Sequence, residues 1–116
     1  MAIEANASHG SANDIVLQFI KALNEEDFSA ARGHAAGDLK FVGVLGERDG
    51  AEAYFTDMRK MKLKYDIKRV FSDGDDVCIF YDIDMGSTTI FSCGWYHMVE
   101  GKINSIRVIF DPRPLL

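Results

Sequence analysis

The spacing of apolar positions predicts helices in the first half of the chain and strands in the second half. Between residues 12 and 24 the apolar residues recur every three or four positions, which lines one face of an α-helix. That stripe consists of Ile15, Val16, Phe19, Ile20 and Leu23. Ser11, with Asp14 three residues later, is similar to a capping box, so we expect the first helix to begin here.

Two further helices are predicted before the strands. One spans about residues 27–36 and is weakened by Gly33 and Gly37, because glycine disfavours a helix interior. A short extended segment follows over about residues 39–45. Gly50 then precedes a third helix over about residues 51–61, whose apolar side carries Tyr54, Phe55, Met58 and Met61.

Alternating apolar residues predict four strands in the second half, over residues 64–72, 77–85, 88–99 and 102–110. The first two are joined by Asp73-Gly74-Asp75-Asp76, a strong turn signal, and the last two by Glu100-Gly101. Helices followed by strands favour an α+β fold over alternating units. We therefore predict a single α+β domain over residues 13–116, preceded by a flexible tail over residues 1–12.

Alternation along the strands divides the side chains between two faces of the sheet. In the first long strand, one face carries Tyr65, Arg69 and Phe71 and is largely apolar. In the second, every other residue from Val77 to Met85 is apolar. We assign both of these faces to the core. In the third strand both sets contain large apolar groups, so alternation does not choose between them. A second apolar face with no helix left to cover it indicates a homodimer.

Charge and composition restrict the kinds of partner that the protein can bind and the compartment in which it is expected. The 116 residues carry a formal charge of −5, which argues against nucleic acid as a partner. No apolar run approaches the roughly 20 residues of a membrane span, and the N-terminus lacks the pattern of a signal peptide. The cytoplasm is therefore the expected compartment, with no membrane partner. Cys78 and Cys93 fit neither a disulfide framework nor a metal site, and we expect no cofactor.

Several segments, in a fixed order, carry a family resemblance. Residues 15–28, Ile-Val-Leu-Gln-Phe-Ile-Lys-Ala-Leu-Asn-Glu-Glu-Asp-Phe, resemble the opening helix of the nuclear transport factor 2-like (SnoaL-like) superfamily and its junction into helix two. Residues 37–41 and 50–55 are similar to its short strand and third helix, and residues 101–112 to its last hairpin. The resemblance implies a cone in which three N-terminal helices pack in the concavity of a strongly curved, mostly antiparallel sheet, around a pocket.

A fold of this kind hosts several activities, so the resemblance does not imply one function. The superfamily's steroid isomerases use a tyrosine donor, a general base and a protonated acid, which fall on Phe19, on Gly43, and at or next to Cys93. All three roles are lost, and we expect no ketosteroid isomerase activity. The epoxide hydrolase set of two aspartates and an arginine has no convincing match, since Arg69 and Arg107 lack evident inward acidic partners.

The resemblance also places Cys93 on the concave face and Cys78 on the outer face. On opposite faces of the sheet the two thiols cannot form a disulfide. The ligand pocket that it implies is lined by Phe19, Tyr54, Met58, Phe91, Cys93, Trp95, His97, Val108 and Phe110. The dimer interface predicted for the outer face contains Val70, Phe80, Ile90, Tyr96, Met98 and Ile109.

Two histidines are the best candidates for catalysis. His97 would lie near the pocket mouth, either as a general acid/base or polar anchor, or as a structural histidine bonded to a neighbour or to water. His34, on the second helix, would reach the pocket or bond a backbone carbonyl. Asp38 and Glu47 are weaker candidates for a carboxylate.

We therefore expect a pocket protein that binds a small apolar or aromatic molecule. One alternative is an enzyme of the polyketide cyclase, isomerase or hydratase type that uses a pocket histidine. A second alternative is a non-catalytic dimeric association module.

Overall fold

A computed structural model describes residues 11–116, which form three helices and six strands. The helices are α1 (Ala12–Asn24), α2 (Phe28–Gly33) and α3 (Ala51–Met61). The strands are β1 (Ala35–Val42), β2 (Glu47–Asp49), β3 (Lys64–Asp73), β4 (Asp76–Asp84), β5 (Thr89–Val99) and β6 (Lys102–Phe110). A 3₁₀ turn, Arg113–Leu115, follows β6.

All six strands belong to one mixed sheet with the order β2-β1-β6-β5-β4-β3. Only β1 and β6 run parallel, and the other neighbours are antiparallel. The sheet is curled without closing, and the helices occupy its concave side. The predicted α+β cone is therefore confirmed.

Helix α1 begins where the sequence predicts and packs its apolar stripe against the sheet. The Ser11 Oγ accepts a hydrogen bond from the Asp14 backbone N–H at 3.2 Å. At the other end the Asn24 amide anchors the helix to β3, because its Nδ2 donates to the Tyr65 carbonyl at 2.9 Å and its Oδ1 accepts from the Tyr65 N–H at 2.7 Å. Most of the predicted flexible tail, residues 1–12, lies outside the described residues. Its last two residues belong to α1 rather than to a tail, since Ser11 caps the helix and Ala12 begins it.

Helix α2 is shorter than predicted, and one strand was not predicted at all. The chain leaves the helix at His34, and Ala35 pairs with Ile103, so β1 takes over the end of the predicted helix. Strand β2 consists of Glu47, Arg48 and Asp49, all of them exposed. Three consecutive charged residues show no apolar alternation, so the hydrophobic pattern indicates no strand there.

The prediction for β5 assigns its two sets of side chains to the wrong faces. Ile90, Tyr96 and Met98, expected outside, are only 4%, 2% and 3% exposed. Phe91 and Trp95, expected inside, are 60% and 47% exposed. Cys93 and His97 share the outer face with them, so Cys78 and Cys93 lie on the same face rather than on opposite ones, and both are free thiols.

Strand register explains this reversal. In an antiparallel pair, residues directly opposite each other project to the same face. Tyr81 of β4 is opposite Ser92, and Ile83 is opposite Ile90, so the buried set on β4 requires Ser92 and Ile90 to be buried as well. The pairing across the β4–β5 hairpin fixes the face, and the family resemblance placed it wrongly.

A bulge in β3 corrects a second assignment. The register against β4 shifts between Ile67 and Arg69, so the alternation reverses beyond that point. Val70, predicted to lie in a dimer interface, packs against the core, while Arg69 and Phe71 point outward. Of the six predicted interface residues, four therefore face the core, and only Phe80 and Ile109 lie on the outer face.

Candidate functional site

A cavity of about 280 Å³ opens between α3, the β1–β2 loop and the concave face of the sheet. Its walls are mostly apolar, and its exposed large apolar residues, Leu45, Met61 and Leu115, mark the mouth. The complete lining is Phe41, Leu45, Gly46, Arg48, Tyr54, Asp57, Met58, Met61, Leu63, Tyr65, Ile83, Met85, Tyr96, Ile106, Val108, Phe110 and Leu115.

Helix α3 aims one face at this cavity. Gly50 precedes the helix with φ of 94°, a conformation that suits glycine, and its backbone N–H donates to the Leu39 carbonyl at 2.7 Å. Helical spacing then brings Tyr54, Asp57 and Met58 to the same side as Met61.

The ring of Tyr54 is held between two other aromatic side chains. Its centroid lies 5.4 Å from that of Phe41 and 6.4 Å from that of Phe19. Phe19, predicted to line the pocket, is fully buried behind Tyr54 and does not reach the cavity. It therefore fixes the position of a lining residue rather than touching a ligand itself.

All four tyrosines of the chain gather at the inner end of the cavity. Tyr54, Tyr65 and Tyr96 line it, and Tyr81 lies behind them, with its hydroxyl 2.6 Å from that of Tyr96. The Tyr65 and Tyr81 ring centroids are 5.0 Å apart. The Tyr54 and Tyr65 side chains interact with each other, and this interaction affects the pKa of both residues.

A glycine makes room for the bonded pair of tyrosines. A Cβ at Gly94 would lie 2.2 Å from the Tyr81 hydroxyl and 2.8 Å from a ring carbon of Tyr96. Neither distance is possible between non-bonded atoms, so any other residue at this position would displace one of the two rings. Gly94 is therefore a structural requirement of the cluster.

Burial keeps these phenols protonated. It raises the pKa of all four tyrosines, and for Tyr65 the neighbouring Tyr54 adds to the rise. Near neutral pH the hydroxyls therefore donate and accept hydrogen bonds as neutral groups. They do not act as bases, because a phenolate is disfavoured where burial removes its solvation.

Charge at the cavity is confined to one ion pair near the mouth. The Arg48 Nε of β2 lies 2.7 Å from the Asp57 Oδ2 of α3. No other charged residue belongs to the lining formed by the described part of the chain. Within residues 11–116 no cluster of three or more histidine, cysteine or acidic side chains could hold a metal ion.

The predicted pocket residues divide between the two faces of the sheet. Tyr54, Met58, Val108 and Phe110 line the cavity. Four others face away from it and cannot line it, and these are Phe91, Cys93, Trp95 and His97.

Neither candidate histidine reaches the cavity. His97 lies on the outer face, where its Nδ1 is 2.8 Å from the Asp76 Oδ1. His34 caps the C-terminus of α2, and its carbonyl accepts from the Ile103 N–H at 2.8 Å. Burial, and secondly the charge of Lys102, lower the pKa of His34. His34 and His97 therefore cannot act on a ligand in this cavity from these positions.

The two weaker carboxylate candidates are exposed and engaged elsewhere. Asp38 accepts a hydrogen bond from the Asn104 side chain at 3.1 Å. Glu47 lies 3.5 Å from the Lys40 ammonium. Neither lines the cavity.

The steroid isomerase positions carry no replacement chemistry. Phe19 is buried, and Gly43 follows β1 in the loop. Cys93 points outward, and its neighbours Ser92 and Gly94, which face inward, have no carboxyl group.

The sequence reasoning missed Tyr65 and Tyr96 as cavity residues. The strand pattern assigns Tyr65 to the core rather than to a pocket, and the predicted dimer interface assigns Tyr96 to the outer face. A usable signal existed, because Ser92 and Gly94 are small and share a face with Tyr96, which leaves space beside a large ring. Counting the tyrosines after fixing the β4–β5 register would have found the cluster.

None of the helices described between residues 11 and 116 has the length and apolar character needed to cross a membrane.

Comparisons with known proteins agree with this architecture. The family model described as SnoaL-like domain matches residues 16–106. A solved protein of unknown function from Cytophaga hutchinsonii, described as NTF2-like, is 48% identical, with 90% of this chain and 94% of that chain covered and a TM-score of 0.89. No curated protein matches the chain.

Two further solved structures share the fold at lower identity. An LEH-like epoxide hydrolase from M. tuberculosis is 25% identical, with 88% of this chain and 84% of that chain covered and a TM-score of 0.76. Bal32a, from a soil-derived mobile gene cassette, is 16% identical, with 85% and 88% covered and a TM-score of 0.78. With its family model matched over most of its length, the chain belongs to the SnoaL-like domain family.

Proposed function

We propose that the protein binds a small, neutral, ring-containing molecule in the cavity, with an oxygen of that molecule bonded to the tyrosine hydroxyls. The observation that carries this proposal is the convergence of Tyr54, Tyr65 and Tyr96 on one end of an otherwise apolar cavity. Ligand sites commonly combine apolar walls with a few placed polar groups. A carbonyl or hydroxyl oxygen is the ligand group that phenol donors suit best.

The charge of the lining supports a neutral ligand. Arg48 and Asp57 pair with each other at 2.7 Å, so the part of the lining formed by the described residues has no unpaired charge to hold an ionic group. An anion in the apolar interior would lose its hydration without a compensating cation, which costs several kcal/mol in proteins. Neutral ring compounds avoid that cost.

The cavity volume supports a ligand of one or two rings. Its volume is about 280 Å³, and one water occupies about 30 Å³ of the liquid, so the cavity has room for about nine waters. That is slightly below the range of about 300–1,000 Å³ common to small-molecule pockets.

Binding, rather than proton-transfer catalysis, fits the titratable groups of the cavity. General base catalysis needs a group that is deprotonated near the working pH and within reach of the substrate. The lining formed by residues 11–116 contains no histidine, its one carboxylate is paired with Arg48, and burial raises the pKa of the tyrosines.

Isothermal titration with two matched probes tests the proposal. We expect 2-naphthol, a neutral two-ring phenol, to bind, and 2-naphthoate to bind at least about tenfold more weakly because its charge is unpaired in the cavity. Tyr65→Phe should weaken 2-naphthol by about fivefold, the effect of one neutral hydrogen bond. Val108→Phe should abolish binding by filling the space.

The outer-face variant Phe80→Leu is the matched control and should bind as the unmodified protein does. Absence of 2-naphthol binding, or unchanged binding by Val108→Phe, would contradict the proposal. Equal affinity for 2-naphthoate and 2-naphthol would contradict the proposal that the ligand is neutral.

A further inference from the structure

Partly exposed apolar side chains gather at the mouth of the cavity. Leu45, Met61 and Leu115 are 60%, 50% and 38% exposed, yet each of them also lines the cavity. Leu63 and Met85, which are half-buried, belong to the same lining. We call these five residues the rim. Exposed apolar residues are ordinary where they are scattered singly, whereas a contiguous group of them marks a binding surface.

Separate parts of the chain supply the rim, and local hydrogen bonds hold two of them in place. Leu45 lies in the loop between β1 and β2, where the Gly43 backbone N–H donates to the Gly46 carbonyl at 2.8 Å. The backbone N–H of Leu115, in the 3₁₀ turn, donates to the Pro112 carbonyl at 2.8 Å. Apolar groups from distant segments therefore meet at one opening in a defined arrangement.

The cavity is elongated between its tyrosine end and the rim. Along β6, Ile106 lies opposite Tyr96, and Phe110 ends the strand just before the 3₁₀ turn. Strand rise places Ile106 and Phe110 about 14 Å apart. On α3, Tyr54 and Met61 are separated by about 10 Å along the helix axis. An aromatic ring bound at the tyrosine hydroxyls therefore does not fill the cavity as far as the rim.

We propose that the ligand carries an apolar chain on its ring, opposite the oxygen, and that this chain lies against the rim. The inference rests on the proposed function, because it takes the tyrosine hydroxyls as the site of the ligand oxygen. A ring without a chain leaves the rim in contact with water. A chain that covers the rim removes apolar surface from water on both partners, so each buried methylene should tighten binding by up to about fourfold.

The size and composition of the rim favour a flexible chain over other occupants. A stable protein interface buries about 800 Å² per partner, and five partly buried side chains around an opening offer less than that. Met61 and Met85 are unbranched and adaptable, which suits a chain with several conformations. The rim is continuous with the cavity, since all five of its residues line it. One molecule can therefore occupy both.

Calorimetry with alkylphenols tests this inference. Affinity should rise from 4-ethylphenol through 4-butylphenol to 4-hexylphenol, by up to about fourfold for each added methylene. The matched ligand is 2-hexylphenol, which has the same composition but directs its chain from beside the hydroxyl into a wall. It should bind at least about tenfold more weakly than 4-hexylphenol, because its chain cannot be buried at the rim.

The results separate this inference from the proposed function. If 2-naphthol binds but 4-hexylphenol binds no more tightly than 4-ethylphenol, the chain is overturned and the ring site stands. Equal affinities of the two hexylphenols would also overturn the chain, because the gain would then reflect general apolar character. If neither 2-naphthol nor any alkylphenol binds, the proposed function fails and this inference fails with it.

Rim variants locate the chain. Leu45→Ser and Met61→Gln change exposed side chains and should each weaken 4-hexylphenol by about fivefold through lost apolar contact, while 4-ethylphenol binds as before. Val44→Ser is the matched control, since Val44 is 41% exposed beside Leu45 but does not line the cavity. Tyr65→Phe should weaken the short and the long phenol by the same factor. A 4-hexylphenol affinity that both rim variants leave unchanged would overturn the inference.

Discussion

The hydroxyl oxygens of Tyr81 and Tyr96 lie 2.6 Å apart, and a Cβ at Gly94 would overlap the Tyr81 hydroxyl and a ring carbon of Tyr96. This pair joins two adjacent strands through their side chains on the concave face, directly behind the cavity lining. The position of Tyr96 at the cavity therefore depends on a residue that no ligand would touch.

Gly94→Ala should destabilise the protein by about 1–3 kcal/mol, the usual cost of overpacking a core. The added methyl would lie 2.2 Å from the Tyr81 hydroxyl. Adding Tyr81→Phe removes that oxygen and should restore part of the loss. Urea denaturation at neutral pH measures both changes.

Gly33→Ala is the control, since a Cβ there meets no atom within 4 Å. Equal stability changes for Gly94→Ala and Gly33→Ala would show that the Tyr81–Tyr96 pair does not need the glycine.

The tyrosines should resist alkaline titration. The folded pKa of all four is raised by burial above the ordinary value of about 10. A raised pKa stabilises the fold fully below pH 10, and that stability is lost as pH rises through the folded values. Absorbance at 295 nm should therefore rise only with unfolding, followed in parallel by circular dichroism. Ionisation of even one tyrosine near pH 10 in the folded protein would contradict the closed cluster.

His34 should make the fold slightly less stable in mild acid. Its pKa is lowered from 6.5 in the folded state, first by burial and then by Lys102. A depressed pKa means that the unfolded state binds the proton more readily, so stability is full above pH 6.5 and falls as pH drops below it. His34→Gln should show a smaller loss between pH 7.5 and pH 5.5 in urea titrations. An identical loss of stability in the His34→Gln variant would show that His34 does not cause the acid dependence.

Phe110 should connect the cavity with the outer face. Its side chain lines the cavity and also a shallow groove on the outer face beside Phe91 and Ile109. Phe110→Ala should therefore weaken 2-naphthol binding several-fold, because its ring forms part of the cavity wall. Phe80→Leu, which changes the outer groove alone, should leave that binding unchanged. Calorimetry compares the two variants, and a Phe110→Ala variant that binds as the unmodified protein does would contradict the role of this ring in the cavity wall.

The sequence predicted the fold well because its strongest signals are local. The α1 stripe, the Ser11 cap and the Asp73–Asp76 turn each specify a structure within a few residues of themselves. The α+β order then follows from the succession of helices and strands.

The candidate site was predicted only in part, because it depends on pairing between distant strands. Helical spacing predicts Tyr54 and Met58 correctly, and the family resemblance correctly places Val108 and Phe110 on the concave face. Strand β5 has large apolar groups on both sides. Its face is fixed only by its register with β4, and the β3 bulge after Ile67 has no marker in the residues around it.

The most direct measurement of the central claim uses the methionines of the chain. Met58, Met61 and Met85 line the cavity, whereas Met98 is buried away from it. In protein labelled with ¹³C at the methionine methyls, titration with 2-naphthol should shift the three lining methyl signals with one common dissociation constant. The Met98 signal should move several times less. No saturable shift, or a Met98 shift as large as the others, would contradict a ligand site in this cavity.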